Sequence, residues 1–369
     1  YPLLVRPSYV LGGRAMGVVY SDEELQRLVN EALQVAPGAA ILIDRFLDGA
    51  IELDVDALAD GESCVIAGIM QHIEEAGVHS GDSACVLPPH GVGDTHLETI
   101  RRITHRLAAE LDVVGLLNIQ FAVHRDGVYV IEVNPRASRT VPFLAKATGV
   151  PLAEVATRLM LGERLRDFGL PNELPAPRWF VKAPVFPFRK FPGVDPRLTP
   201  EMRSTGEVMG HGESVGEAVY KALTAADMRL PRSGTAFVTV CARDHAAVVP
   251  IARRLQAAGF ALVATRGTAA SLRDAGLAVR ELRKRSEGRP DCVDSIRSGE
   301  IDLIINTAVG AESHRDGYAI RTAAVDHGVP ILTTLSGAEA AVEALLTVGD
   351  EAPRVMPLQD VHPGGGRLR

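Results

Sequence analysis

The chain has 369 residues, 46% of them hydrophobic, so it can bury a large core, and its length predicts two or three domains. Its net charge of −7 at pH 7 argues against the basic surface of a nucleic-acid-binding domain. The four cysteines lie far apart without CxxC spacing, which predicts neither disulfides nor a zinc site and favours the reducing cytoplasm. No apolar run approaches the roughly 18 residues of a membrane span. The chain opens at Tyr1 on a strand-like run, which we interpret as a start inside a domain of a longer protein.

Residues 1–170 predict an α+β domain with antiparallel strands. Strands are expected at 3–5, 8–11, 41–47, 51–58 and 64–71, and helices from Ser21 and over 98–111. Ser21 and Glu24 have the spacing of a capping box at the start of the first helix. In the strand at 51–58, the acidic residues Glu52, Asp54 and Asp56 alternate with apolar residues, which is the period of a strand.

The pattern changes in the second half of the chain. Residues 171–232 are rich in proline, and we interpret them as an extension that completes the first domain and links it to the next. Strand-like runs at 237–241, 260–265, 277–282, 302–306 and 329–333 then alternate with helical patterns such as 246–258 and 338–346. This alternation predicts an α/β domain with a parallel sheet over 233–350, followed by a tail at 351–369.

A predicted hairpin carries the strongest chemical signal. Two alternating strands, 118–124 and 128–134, flank the turn Arg125-Asp126-Gly127. A three-residue loop would pair His124 with Val128, Ala122 with Val130 and Gln120 with Glu132. Asn134 lies two residues beyond Glu132 and therefore on the same face. Three oxygen ligands on one sheet face suit a hard cation such as Mg²⁺, although a solvated polar sheet face has the same pattern.

Several residues favour a phosphate-bearing ligand. Gly12 and Gly13, between a strand and a helix, could close over phosphates with their backbone N–H groups, although a tight turn also explains them. Arg6 and Arg45 lie within or at the end of strands, where their guanidinium groups fit a phosphate, unless they are ordinary surface arginines. Glu52 can accept hydrogen bonds from a ribose, as can any exposed strand carboxylate.

Two further arginines, Arg136 and Arg139, follow the hairpin directly and could clamp a transferring phosphoryl group. No GxSxG motif surrounds His79, which argues against hydrolase chemistry. The chain has neither a P-loop GxxxxGK[ST] nor a Rossmann GxGxxG, so ATP would have to be bound by another fold.

Four long segments of the chain are specific enough to compare with a known family. They are Val5-Arg-Pro-Ser-Tyr-Val-Leu-Gly-Gly-Arg-Ala-Met16, Gly77-Val-His-Ser-Gly-Asp-Ser-Ala-Cys85, Asn118-Ile-Gln-Phe-Ala122 and Ile131-Glu-Val-Asn-Pro-Arg-Ala-Ser-Arg-Thr-Val-Pro-Phe143. Together they resemble the C-terminal half of the large subunit of carbamoyl phosphate synthetase, and the resemblance extends to about Leu346. It implies an ATP-grasp domain followed by a Rossmann-type regulatory domain that resembles methylglyoxal synthase.

The resemblance also implies roles for individual residues. Nucleotide contacts are expected at Arg6, Arg45, Leu47, Glu52, Gly77, Val78, His79, Ser80, Gln120 and Glu132. Mg²⁺ or Mn²⁺ would be held by Gln120, Glu132 and Asn134, with Arg136 and Arg139 near the phosphates. In the regulatory domain, Thr265, Gly267, Thr268, Lys284 and Asn306 match a nucleotide-monophosphate site for UMP or IMP.

By resemblance, the family makes carbamoyl phosphate from bicarbonate, ammonia and two ATP for arginine and pyrimidine biosynthesis. A small amidotransferase subunit releases the ammonia from glutamine, and this half phosphorylates carbamate, while the bicarbonate-phosphorylating half is missing from the chain. Ala183 stands where enteric relatives have a Glu used in ornithine activation, which leaves ornithine control open. His245 and Ala308 replace a Lys and a Thr of relatives, which leaves the identity of the effector open.

Two other interpretations remain at the sequence level. The first is a nucleotide-binding regulatory fragment that senses UMP or IMP without turnover. The second is an ATP-grasp carboxylase of the biotin type. The βα domain at 233–346 and the lack of a biotin-carrier Met-Lys-Met motif argue against that second interpretation.

Overall fold

Three β-sheets organise the chain. The computed structural model describes residues 1–8, 14–35, 38–125, 127–307, 311–349 and 353–362, with side chains in the helix at 311–327 described from residue 315 onward. The sheets have three, seven and five strands. None of the helices in these ranges is both long and apolar enough to cross a membrane.

The smallest sheet has the strand order β2-β1-β3 and one helix, α1. Its elements are β1 (Leu3–Pro7), β2 (Gly17–Val19), α1 (Asp22–Val35) and β3 (Ile41–Arg45). Half of the capping box predicted for α1 is present, because Glu24 N donates to Ser21 Oγ over 3.3 Å, whereas Glu24 Oε2 accepts from Tyr20 N over 2.8 Å and not from Ser21 N. The predicted strand at 41–47 ends at Arg45, before the turn that leads to the next sheet.

The seven-stranded sheet is antiparallel, with the order β10-β9-β6-β5-β4-β7-β8. Its strands are β4 (Ile51–Asp60), β5 (Cys64–His72), β6 (Cys85–Leu87), β7 (Val114–His124), β8 (Gly127–Asn134), β9 (Trp179–Val185) and β10 (Gly206–Gly212). Helix α2 (Asp94–Glu110) packs on one face, and α3 (Val141–Thr148) and α4 (Leu152–Met160) pack on the other. Strands β9 and β10 come from the proline-rich region, where the sequence pattern predicted no strands.

The acidic row of β4 is buried. Asp54 is 3% exposed and Asp56 is not exposed at all. The strand lies between β5 and β7 and is covered on both faces, so its alternating pattern does not mark a solvent-facing side. These carboxylates therefore need partners inside the protein.

The β7–β8 hairpin differs from the predicted register near its turn. Gln120 pairs with Glu132 as predicted. Closer to the turn the observed partners are Phe121 with Val130, Ala122 with Tyr129, Val123 with Val128 and His124 with Gly127. The predicted pairs of His124 with Val128 and Ala122 with Val130 are therefore wrong. A bulge next to Gln120 absorbs the one-residue difference, which restores the predicted pairing where the polar residues lie.

The five-stranded sheet is parallel, with the order β13-β12-β11-β14-β15. Its strands are β11 (Thr235–Val240), β12 (Ala261–Thr265), β13 (Val279–Leu282), β14 (Leu303–Thr307) and β15 (Ile331–Leu332). The helices are α5 (Val215–Ala225), which precedes the sheet, and then α6 (His245–Ala257), α7 (Arg266–Asp274), α8 (Cys292–Arg297), α9 (Ala311–His327), α10 (Leu335–Val348) and α11 (Leu358–Val361). All five predicted strands are present, and apolar clusters cover both faces of the sheet.

Helix α5 lies between the antiparallel and the parallel sheet. It contacts β9 and β10 on one side and α10 on the other. A Cβ at Gly210 of β10 would lie 2.3 Å from the Ala218 carbonyl oxygen of α5, so only glycine allows this approach. A Cβ at Gly216 of α5 would lie 2.3 Å from Thr347 Oγ1 of α10. Small residues thus set the distance between the two sheets.

Candidate active site

The hairpin brings the three predicted metal ligands together. Gln120 lies opposite Glu132, and Asn134 lies opposite Asn118. Asn134 Nδ2 donates to Glu132 Oε1 over 2.8 Å, and the Gln120 side chain hydrogen-bonds to Asp54. One carboxylate and two amide groups offer only hard oxygen donors, so this set fits a divalent cation such as Mg²⁺ or Mn²⁺.

A buried ion pair lies beneath this face. His72 Nε2 donates to Asp54 Oδ2 over 3.1 Å, and His72 Nδ1 lies 3.4 Å from Glu52 Oε2 without hydrogen-bond geometry. Burial opposes the charge on Asp54, but the hydrogen bond from His72 and the charges of His72 and Lys182 hold its pKa below the usual value. Burial likewise opposes the charge on His72, whose pKa is nevertheless raised well above its usual value by Cys85, Asp54 and Glu52. We infer that Asp54 and His72 are both ionised.

This pair connects the hairpin to the loop at 74–82. Gln120 binds Asp54, Asp54 binds His72, and Glu52 Oε1 accepts a 3.3 Å hydrogen bond from Gly77 N. Sequence analysis singled out Glu52 and Gly77 but not Asp54 or His72. The missed signal is the acidic row in β4, whose carboxylates had to be either exposed or paired.

Hydrogen bonds made by Lys182 and Asp82, a glycine and a buried valine position the loop. Lys182, which is 1% exposed, donates from Nζ to the Ser80 carbonyl oxygen over 3.2 Å. Asp82 accepts from the backbone N–H groups of Arg203 and Ser204 over 2.7 and 2.9 Å. Gly77 has φ +97°, a backbone conformation that favours glycine, and a Cβ there would also crowd Phe46 Cζ at 3.1 Å. Val78 is buried at 9% exposure, which anchors the loop tip.

His79 lies in this loop and faces Glu132 of the β7–β8 hairpin. Its Nδ1 accepts from Gly81 N over 3.0 Å, which places the remaining ring proton on Nε2. Burial lowers the pKa of His79, the carboxylates of Asp82 and Glu132 oppose this shift, and Arg139 adds to it. A neutral imidazole with an Nε2–H donor is suited to hydrogen bonding with a nucleotide.

The predicted arginines fall in different places. Arg139 Nη1 lies 3.5 Å from Ser204 Oγ, beside Gly81, so it borders the loop. Arg136 is exposed, and its Nη1 donates to the neighbouring Ala137 carbonyl oxygen over 3.0 Å. The structure does not join Arg136 to the loop.

The two arginines of the small sheet lie on opposite faces of it. Arg6 forms a 2.6 Å ion pair with Asp44, and these two side chains lie on the same face. Arg45 pairs with Leu3 in the register and therefore lies on the other face. Leu47 is half-buried in the following turn, where its carbonyl accepts from Ala50 N. Gly12 and Gly13 lie outside the described residues.

A second set of predicted residues lies at the carboxyl ends of the parallel strands. Thr265 Oγ1 lies 3.0 Å from Thr239 Oγ1, and Asn306 Nδ2 donates to the Thr239 carbonyl over 3.4 Å. Thr268 Oγ1 accepts from Val240 N over 3.2 Å. Thr265, Thr268 and Asn306 thus meet around the end of β11.

The other two members of this set lie nearer the edge of the sheet. Gly267 lies in the first turn of α7 next to His245, whose Nδ1 lies 3.0 Å from Ser271 Oγ. Lys284 follows the edge strand β13, and its amide donates to Glu287 Oε2 over 2.8 Å. Ala308 lies outside the described residues.

Comparison with known proteins fits this architecture. Residues 1–168 match the family model described as carbamoyl-phosphate synthase L chain, ATP binding domain, and residues 247–333 match the MGS-like domain. The carbamoyl phosphate synthase large chain, C-terminal section, of Methanopyrus kandleri is 52% identical over 373 residues, covering 99% of this chain and 69% of that protein. The chain belongs to the carbamoyl phosphate synthase large chain family.

The carbamoyl phosphate synthase large chain of Archaeoglobus fulgidus is 53% identical over 363 residues, which are 98% of this chain and 34% of that protein. The chain thus spans about one third of the full-length relatives it matches. Among solved structures, the biotin carboxylase domain of Hydrogenobacter thermophilus 2-oxoglutarate carboxylase with MgADP and bicarbonate has a TM-score of 0.49 and 18% identity over 61% of this chain and 56% of that one. The two family matches, together with the antiparallel and the parallel sheet, confirm the predicted fold class: an ATP-grasp domain precedes a parallel-sheet, MGS-like domain.

Ala183 lines a cavity between the antiparallel-sheet and the parallel-sheet domains. The cavity has a volume of about 660 Å³ and is lined by Ala183 together with Glu74 and several apolar residues. Burial raises the pKa of Glu74 to about 7, although Ala84 N donates to its carboxylate over 2.6 Å.

Proposed function

We propose that the chain phosphorylates carbamate with ATP to form carbamoyl phosphate, as the C-terminal half of a glutamine-hydrolysing carbamoyl phosphate synthase. The observation that carries the proposal is the connection from Gln120 through Asp54, His72 and Glu52 to the loop at 74–82, in which the His72–Glu52 link is a charge contact and the other links are hydrogen bonds. This connection supports the proposal because it links the candidate oxygen ligands to that loop, in a chain that is 52% identical to a C-terminal section of this synthase.

The reaction needs positioning and charge neutralisation more than covalent catalysis. A carbamate oxygen forms a bond to the γ-phosphorus while the bond from phosphorus to the β–γ bridging oxygen breaks, and ADP leaves with the electron pair. Arg139 borders the loop and can neutralise charge on the transferred group, and Arg136 would have to rotate toward it. Gln120, Glu132 and Asn134 would hold Mg²⁺ or Mn²⁺, which supplies positive charge to the ATP phosphates.

Water must also be kept from the reacting groups, because carbamate decomposes readily. The loop at 77–82 is fastened from both sides by Lys182 and by the backbone of Arg203 and Ser204. A fastened loop over the nucleotide lowers the access of water to the transferred phosphoryl group.

We further infer partners from the family. The missing N-terminal half would supply carbamate, a small glutamine amidotransferase subunit would supply ammonia, and the product would enter arginine and pyrimidine biosynthesis in the cytoplasm. UMP or IMP would bind at Thr265, Gly267, Thr268, Lys284 and Asn306 as an effector.

The reverse reaction tests the proposal without the missing half. The chain is mixed with ADP, MgCl₂ and carbamoyl phosphate, and ATP is measured with luciferase. ATP formation that is lost in Glu132→Gln supports the proposal. Binding of UMP without any ATP formation by the chain would instead support a regulatory fragment without turnover.

A further inference from the structure

The segment 193–204 contacts both the loop at 74–82, which we call the nucleotide loop, and the parallel-sheet domain. It begins after the short helical turn Phe188–Lys190 and ends just before β10. Neither end of the segment is held by regular secondary structure of its own, so side-chain and backbone contacts determine its position.

Its C-terminal end fastens the nucleotide loop. The Thr199 carbonyl accepts a 3.0 Å hydrogen bond from His79 N. Ser204 Oγ donates to the Gly81 carbonyl over 3.0 Å, and the amides of Arg203 and Ser204 bind the Asp82 carboxylate. His79, Gly81 and Asp82 of the loop thus each have a hydrogen-bond partner in this segment.

Its N-terminal end is held by α9 of the parallel-sheet domain. Arg321 donates from Nε and Nη2 to the two carboxylate oxygens of Asp195, each over 2.6 Å. The third guanidinium nitrogen, Nη1, donates to Asn306 Oδ1 over 2.8 Å. Tyr318, on the same helix, donates to the Gly193 carbonyl over 2.7 Å.

The two ends are joined through Asp195 itself. The Asp195 carbonyl accepts from Arg203 Nη1 over 3.0 Å, while Arg203 N binds Asp82 of the loop. Asp195 Oδ1 also accepts from Arg197 N over 3.1 Å, which fixes the local turn. A displacement of Asp195 would therefore reach the loop along two routes, through Arg203 and through Thr199.

The ion pair between Asp195 and Arg321 opposes such a displacement. The Arg321 side chain is only 1% exposed, and its planar group binds both oxygens of one carboxylate, a geometry that fixes direction as well as distance. Lysine could not reproduce this two-pronged contact.

We propose that Arg321 is a positioning residue for the nucleotide loop of the ATP-grasp domain, acting through Asp195 and the segment 195–204. The effect on nucleotide affinity rests on the proposed function, whereas the effect on the loop does not. The parallel-sheet domain thereby contributes a residue that helps to order this loop.

Hydrogen exchange of backbone amides tests the proposal in the full chain. Asp195→Asn and Arg321→Lys keep the size of the side chain but lose the two-pronged ion pair. We expect amide exchange at His79 and Asp82 to accelerate about tenfold, within the range usual for coupling between sites. The amide of Ile73, which binds the Ala84 carbonyl outside this segment, should be unchanged.

The matched control is Arg254→Met, which removes an arginine–carboxylate pair with Glu343 inside the parallel-sheet domain. It should leave exchange at His79 unchanged. Equal acceleration at His79 and Ile73 in Asp195→Asn would mean general destabilisation and overturn the proposal, as would no acceleration in either variant.

Binding of ADP, measured by calorimetry, separates this proposal from the proposed function. If the unmodified chain binds ADP, the two variants should bind it about tenfold more weakly. If the unmodified chain binds no ADP, the proposed function fails while the exchange result still decides the role of Arg321. Unaltered ADP affinity in both variants would overturn the positioning role.

Discussion

The antiparallel and the parallel sheet assemble their candidate sites in different ways. In the antiparallel sheet, two adjacent strands place Gln120, Glu132 and Asn134 on one face, and buried charges beneath them connect that face to a loop. In the parallel sheet, residues from distant segments meet because strand ends share one edge, and several of them bind the backbone of β11. The first site depends on a charged support inside the protein, and the second depends mainly on topology.

The largest expected effect concerns Glu132, the exposed carboxylate of the candidate site on the antiparallel sheet. Glu132→Gln should lower ATP formation from carbamoyl phosphate by about 10³-fold, because it removes the charged ligand of the cation while preserving shape. The measurement is the coupled luciferase assay, with circular dichroism to check the fold. Glu98→Gln, at an exposed position of α2, is the control and should keep full activity. Full activity in Glu132→Gln would contradict the metal assignment.

Removing a charge from the buried group formed by Asp54, His72 and Lys182, here called the charged support, should lower the stability of the fold. Lys182→Met should lower the free energy of unfolding by about 3–5 kcal/mol, because Asp54 and the Ser80 carbonyl lose a buried partner. Burial opposes the charge on Lys182, but Cys85, Asp54, Glu207 and Glu74 raise its pKa. Urea denaturation measures the change, and Lys190→Met, at an exposed position, serves as the control. An equal loss in both variants would show that the support contributes nothing specific.

Asp56, which is buried beside Asp54 in β4, should also make the free energy of unfolding depend on pH. Burial raises the pKa of Asp56 to about 6, despite hydrogen bonds from Thr140, Ser138 and Asn118. Because the folded-state pKa of Asp56 is raised above its unfolded value, the stability that depends on protonated Asp56 is complete below pH about 4. It is lost as the pH rises through about 6.

Relative to Asp56→Asn, the unmodified chain should therefore lose about 2–3 kcal/mol of unfolding free energy between these pH values. Urea denaturation at a series of pH values gives this difference, and Asp94→Asn, exposed at the start of α2, controls for surface charge. A difference between the two chains that does not vary with pH would contradict the assignment to Asp56.

The smallest expected effect concerns the second site. Lys284→Ala should weaken UMP binding by about 1–3 kcal/mol, as for the loss of a charged hydrogen-bond partner. Calorimetry measures the affinity, and Lys190→Met again serves as the control. Absence of both UMP and IMP binding, or binding that is indifferent to Lys284, would rule out the predicted effector site.

Much of the fold was predictable because it follows from local periodicity. The parallel strands are visible in the sequence as apolar runs. The predicted pairing of Gln120 with Glu132 is correct although the turn was predicted wrongly, because a bulge next to Gln120 compensates for the one-residue difference. Strands β9 and β10 were missed because proline and glycine around them weaken the strand pattern. The partnership of His72 with Asp54 and the burial of Lys182 arise from strand order, which residue spacing does not encode.

The predicted domain boundaries at residues 170, 232 and 350 stay predictions. Helix α5 falls in the predicted linking extension, yet it packs against β9 and β10 of the antiparallel sheet and against α10 of the parallel-sheet domain. The residue roles carried over from the family likewise stay predictions. For Arg6 and Arg45, a nucleotide held on one face of the small sheet could contact both only around its edge, since the register places them on opposite faces.

The packing of α5 constrains how the two halves of the molecule can move. Backbone and small side chains meet at Gly210 with Ala218 and at Gly216 with Thr347, leaving no intervening layer that could compress. Opening this joint like a hinge would expose both helix faces to water at once, whereas small sliding of α5 along α10 preserves most contacts. Mechanical communication across the joint should therefore take the form of shear. Crosslinks that block translation would then be more disruptive than crosslinks that only limit the opening angle.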